Sequence, residues 1–135
     1  MSDYNHTSND VIRARVSQNT ISGSVAIRVN QAGQEFNIAT DALTITLPKI
    51  EADNIGMEFL FRNTGADANN IITLSPNAAD AFHGTVAAVQ ASGTLDKDWI
   101  NTKATALKGD WVKIKAIALT DWYITGGDGV WASQS

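Results

Sequence analysis

The sequence predicts an all-β fold, an antiparallel β-sandwich of jelly-roll type, and three observations carry that prediction. Apolar residues recur at every second position in one short run after another, while the spacing of an amphipathic helix is nearly absent. Turn-forming clusters separate the runs: "NQAGQ", "RNTGADANN", "SPNAADAFHG", "ASGTLDKD" and "TGGDG". No repeat, linker or change of composition divides the 135 residues. The expected organisation is therefore a flexible arm over residues 1–10 and a single jelly-roll domain over residues 11–135.

Each strand follows from its alternation. "TISGSVAIRV" sets Ile21, Val25, Ile27 and Val29 on one face and Ser22, Ser24 and Arg28 on the other. "DALTITLP" alternates Leu43, Ile45 and Leu47 with Thr44 and Thr46, and Pro48 stops the run because it lacks a backbone donor. "GMEFLFRN" opposes Met57, Phe59 and Phe61 to Glu58, Leu60 and Arg62, and the aromatic face is the expected core. "NNIITLSP" and "GTVAAVQAS" are a strand each. In "GDWVKIKAIAL" Val112, Ile114 and Ala116 point inward, away from Trp111, Lys113 and Lys115. "DWYITGG" and "GVWAS" close the chain. One helical turn fits, at "SPNAADAF", with Ser75 as cap and Pro76 as opener.

Composition narrows the function. A hydrophobic share of 44% suits a globular domain. With no cysteine, disulfides, thiolate nucleophiles and zinc–thiolate sites are excluded. A net charge of −4 argues against nucleic acid, which needs a concentrated basic face. No apolar run reaches the roughly 18–20 residues of a membrane helix, so no membrane partner is expected. "MSDYNHTSND" lacks the order of a secretion signal, which leaves the glycosylation sequon at Asn5–Thr7 as coincidence. The chain is expected to be complete, to be made in the cytoplasm, and to carry a polar arm that orders only on a neighbour.

The residues that could carry chemistry are few. His6 lies in the arm and His83 in a turn, with no acid or nucleophile placed beside either by the sequence. No Gly-x-Ser-x-Gly elbow occurs, so no catalytic residue and no enzyme is expected. Asp67, Asn69 and Asn70 resemble part of a calcium loop, but no glutamate completes it, and Asp and Asn there read as turn residues. No metal and no cofactor is expected.

The tryptophans and the isolated cations point instead to contact surfaces. Trp122 shares parity with Ile124 and enters the core. Trp131 follows the tight reversal "GGDG" and should lie against the penultimate strand. Trp111 has the parity opposite to the core and stands with Lys113 and Lys115, an interface patch. Arg13 and Arg15, which alternate in "VIRARV", are the other interface candidates, unless these cations serve only as solvated edge protection.

The order "LTITLP", "NIGMEFLFRNTG", "IITLSP", "AFHG" and "TKATALKGDWVKIKAIALTDWYITGGDGVWA" resembles a β-rich pattern of tailed-bacteriophage virion proteins. It covers about residues 40–132. That family includes capsid decoration (cement) proteins and head- or tail-fibre domains, and its motifs are turn and core residues. The resemblance implies a structural protein on the outer surface of a phage head, bound to the major capsid protein. A receptor- or carbohydrate-binding fibre domain is the alternative. The small complete domain and polar arm favour cement. Self-association is expected as well, a homodimer ahead of a trimer.

Overall fold

The computed structural model describes residues 17–134. They form thirteen short strands: β1 (Gln18–Ile21), β2 (Val25–Ala26), β3 (Glu35–Ile38), β4 (Leu43–Thr46), β5 (Glu58–Asn63), β6 (Ile72–Ser75), β7 (Ala81–His83), β8 (Thr85–Val86), β9 (Val89–Gln90), β10 (Trp99–Asn101), β11 (Trp111–Ala118), β12 (Asp121–Asp128) and β13 (Trp131–Ser133). Two single 3-10 turns, Val29–Gln31 and Lys103–Thr105, are the other regular elements. One sheet has the order β1-β3-β5-β11-β12-β7 and the second the order β13-β10-β6-β4-β2, with β8 and β9 as a separate hairpin. Residues of both sheets join in one buried cluster, so the core lies between two layers.

The expected antiparallel pairing gives way to mixed sheets. β1, β3 and β5 run parallel in one sheet, as do β2, β4 and β6 in the other. The cause is the path of the chain, which alternates between sheets from β1 to β6. Two successive reversals restore the original direction, so each strand meets its next neighbour in parallel. Later the path changes: β11 pairs antiparallel with both β5 and β12, and β10 with both β6 and β13. β7 returns parallel to β12.

Where alternation is uninterrupted, it predicts burial. Leu43, Ile45 and Leu47 are buried between exposed threonines, and Phe59, Phe61, Val112, Ile114 and Trp122 are fully enclosed. Phe61 stacks on Phe36 with ring centroids 5.4 Å apart, and Phe59 packs against Trp122. Where the chain breaks, the prediction fails. Val25 and Val29 are each 42% exposed, because Ser22–Ser24 splits the expected strand and sends its halves into different sheets. "GTVAAVQAS" is a hairpin whose two-residue loop puts Ala87 and Ala88 at φ 49° and 71°. No helix follows Pro76; Asn77 turns the chain there by accepting the Asp80 and Ala79 N–H groups.

Trp131 is buried as expected but does not lie against β12. After Gly129 the chain crosses to the other sheet, where β13 pairs with β10 and the Trp131 ring stacks on Trp99 at 6.2 Å. A buried polar joint fixes that crossing. Asn63 Nδ2 on β5 donates to Asn101 Oδ1 on β10, and Asn101 Nδ2 donates to Asp110 Oδ2 and to the Val130 carbonyl. Asn63 Oδ1 in turn accepts from Gly65 N–H and Asn70 Nδ2. Asp110 packs against Gly129, where a Cβ would come within 2.3 Å of its carboxyl carbon. The "Asn-Thr-Gly" and "Gly-Asp-Trp" motifs are thus two halves of one joint between the sheets.

Candidate interaction face

The six-stranded sheet turns one face inward and presents the other, and the register assembles that outer face row by row. Asn37, Arg62, Trp111 and Asp128 form one row across β3, β5, β11 and β12. Glu35, Leu60, Lys113 and Gly126 form the next. Glu58, Lys115, Tyr123 and His83 form the third, which reaches β7. Trp111, Lys113 and Lys115 therefore share one surface, as alternation predicts. Arg13 and Arg15 lie outside the described residues, as does the arm over residues 1–10.

Trp111 is half-buried rather than standing free. The Arg62 guanidinium carbon lies 6.0 Å from its ring centre, within the range of a cation–π contact. On β12 the indole covers Gly126, where a Cβ would meet the ring at 3.0 Å. Glycine here lets the ring lie down across the neighbouring strand. A bulge opposite Lys113 and Ile114 helps, since it inserts Thr125 and restores the inward aim of Ile124.

The charges around this ring are mostly matched. Arg62 Nε is 3.4 Å from Glu35 and Lys113 Nζ is 3.3 Å from Glu58. Lys115 has no ion-pair partner among the described residues. Between these pairs, Leu60 and Tyr123 add apolar surface, and Tyr123 is 43% exposed. A cavity of about 260 Å³ beside Leu60 is lined by Glu35, Glu58 and Lys113. An indole, a leucine and a tyrosine ringed by paired charges make an apolar centre with a polar rim, the composition of a protein contact.

Sequence reasoning missed the cluster at the margin of this face. His83 lies on β7, not in a turn, and its Nε2 is 3.0 Å from Asp121 Oδ1. Parallel pairing of β7 with β12 causes the meeting, a long-range contact with no local signal. The imidazole also packs on Tyr123 at 5.6 Å. Among the described residues Asp121 is the one side chain hydrogen-bonded to the His83 imidazole, and it fixes the orientation of the ring. Behind it Asp80 is buried, with one oxygen accepting the Ile50 N–H at 3.0 Å and the other unpartnered. Burial pushes its carboxyl above the usual range, opposed by the Ile50 hydrogen bond and the Lys49 charge, with Asp121 adding to the rise.

The residues that resembled a calcium loop serve the backbone and one another. Asp67 accepts the Lys108 N–H at 2.8 Å, and Asn69 donates to Asn70, which donates to Asn63. No protein-family model matches this sequence, and no curated protein matches it.

Proposed function

We propose that this is a structural virion protein, a decoration (cement) protein that binds the outside of a tailed-phage head and stabilises contacts between capsid subunits. The observation that carries the reading is the outer face of the six-stranded sheet, where Trp111, Leu60 and Tyr123 lie among matched charge pairs. That face suits a broad, flat partner such as the major capsid protein. The resemblance of residues 40–132 to phage virion proteins supplies the context, and the two mixed sheets are read as a variant of the jelly-roll sandwich. No catalytic step, cofactor, nucleic acid or membrane enters this reading. A ligand that binds the assembled lattice better than free subunits converts its binding energy into lattice stability. Many copies then add small increments.

A carbohydrate-binding fibre domain is the second reading, favoured by a half-buried indole in register with Asn37 and Asp128, since an aromatic ring flanked by polar groups can stack on a sugar. Band quantitation on purified particles separates the two: hundreds of copies mean cement, a few dozen mean fibre. The contact face is tested with Trp111→Ala and Lys115→Glu together, since Lys115 breaks no ion pair when reversed. Rebinding to stripped heads and survival of the particles on heating should both fall. Unchanged occupancy and heat resistance would remove this face from the mechanism.

A further inference from the structure

Arg62 is tied to its neighbours before any partner arrives. Its Nε lies 3.4 Å from Glu35 Oε2, its Nη2 donates to Glu35 Oε1 at 3.5 Å, and its Nη1 donates to the Gly109 carbonyl at 3.2 Å. Gly109 is itself held, since its N–H donates to the Asn63 carbonyl at 2.7 Å. The Glu35 side chain is only 15% exposed and that of Arg62 34%, so this pair is screened less than a free surface pair. The guanidinium also meets the Trp111 ring, whose centre is 6.0 Å from Cζ. On the far side a Cβ at Gly126 would meet the ring carbons Cη2 at 3.0 Å and Cζ3 at 3.3 Å. The indole therefore touches β5 through a fixed cation and β12 through bare backbone.

We propose that Arg62 is the positioning residue of the outer face: Glu35 and the Gly109 carbonyl fix the guanidinium, and the guanidinium fixes the Trp111 indole in the orientation that a partner meets. The inference rests on the reading of this face as a contact surface.

Arginine is required here, and a cation alone is not enough. A planar fork of donors engages a carboxylate through two nitrogens, donates to a carbonyl with a third and still lies against a ring. Lysine carries the same charge on a point-like ammonium that cannot do all of this at once. The effect on binding comes through order. A loose indole must be immobilised when a partner closes on it, whereas a ring already set loses little freedom. A face prepared in this way suits a folded, rigid partner, which offers one fixed counter-surface.

The four tryptophans make the test direct. Trp99, Trp122 and Trp131 are at most 1% exposed, so acrylamide in solution reaches only Trp111. Full-length Arg62→Lys and Glu35→Gln are compared with wild type, each also in a Trp111→Phe background that reports the buried three. Both variants should raise the slope of quenching about twofold, the factor by which losing one surface cation–π contact frees the ring, while the background stays flat. An unchanged slope in both overturns the proposal. A rise that extends to the buried tryptophans overturns it too, since Arg62 would then hold the fold and not the ring. On stripped heads, Arg62→Lys should weaken rebinding about two- to tenfold, the effect of ordering one side chain on contact, and add nothing to the loss caused by Trp111→Ala. A double variant weaker than Trp111→Ala alone would mean that Arg62 meets the partner itself, and overturns the positioning role. Wild type that does not rebind refutes the capsid reading instead, and the quenching slopes still decide the role of Arg62.

Discussion

Replacing Asn101 with leucine tests whether the polar joint holds the two sheets in register. Leucine keeps the branched shape of asparagine and removes three hydrogen bonds: one from Asn63, one to Asp110 and one to Val130. Two of the former partners keep another. Asp110 Oδ2 still accepts the Leu107 N–H at 2.9 Å, and the Val130 carbonyl still accepts the Thr102 N–H at 3.3 Å. Asn63 Nδ2 loses its acceptor and is stranded in a residue only 1% exposed. Stranding a buried donor costs about 1–3 kcal/mol, and a lost hydrogen bond to a carboxylate adds about 1.5–3 kcal/mol. The apolar leucine offsets about 1 kcal/mol of that sum. Asn101→Leu should therefore lose about 3 kcal/mol in urea unfolding at unchanged m-value. A double-mutant cycle with Asn63→Leu should give a coupling of about 0.5–3 kcal/mol, the range for residues in one network. A loss below about 1 kcal/mol, or independence of the two sites, would refute the claim that this joint fastens the layers.

Phe61→Ala should cost about 3–5 kcal/mol by chemical denaturation, because the ring is wholly buried against Phe36 and Phe59. Changing Ala87 to Asn and Ala88 to Gly should raise stability by about 1 kcal/mol, since both alanines sit in the left-handed region that those residues tolerate. Asp80→Asn keeps an acceptor for the Ile50 N–H and removes a buried charge, so it should stabilise the protein at neutral pH. Because the native carboxyl of Asp80 is raised, the wild type gains relative stability as pH falls through that raised value, and the advantage of the variant shrinks in parallel thermal melts. Asp41 behaves oppositely: its hydrogen bond from Lys103, then that from Ile71, lowers its carboxyl, so its contribution is present at neutral pH and disappears on strong acidification. Asp41→Asn should accordingly flatten the acid limb of the melting curve.

The class of fold and the inward faces of the long strands were legible because they depend on local alternation. β5 and β11 are six and eight residues long, enough for a period of two to show. β7 and β10 have three residues each, too few for a period, yet β10 carries the buried Trp99 on which Trp131 stacks. Parallel pairing was hidden for another reason. It depends on which sheet each strand joins, and nothing in the alternation of β1 or β2 distinguishes one sheet from the other. The same holds for the outer face. Trp111, Lys113 and Lys115 follow from one strand's parity, whereas Leu60, Tyr123 and the His83–Asp121 pair join them only through registers between distant strands.

The chain's alternation between sheets also explains why its first margin and its outer face differ. From β1 to β6 each crossing adds one strand to the opposite layer, so both layers begin at the same margin, and among the described residues no strand covers either first edge there. Among the described residues the interior strands β11 and β12 form the one long hairpin, and their outer side chains build a face instead of an edge. That face offers an indole and charge pairs, and its complement is a folded surface. Several such faces meeting one partner surface would add weak contacts at Trp111 through effective concentration, so mutating that face should weaken binding to an array of partners more than binding to a single one.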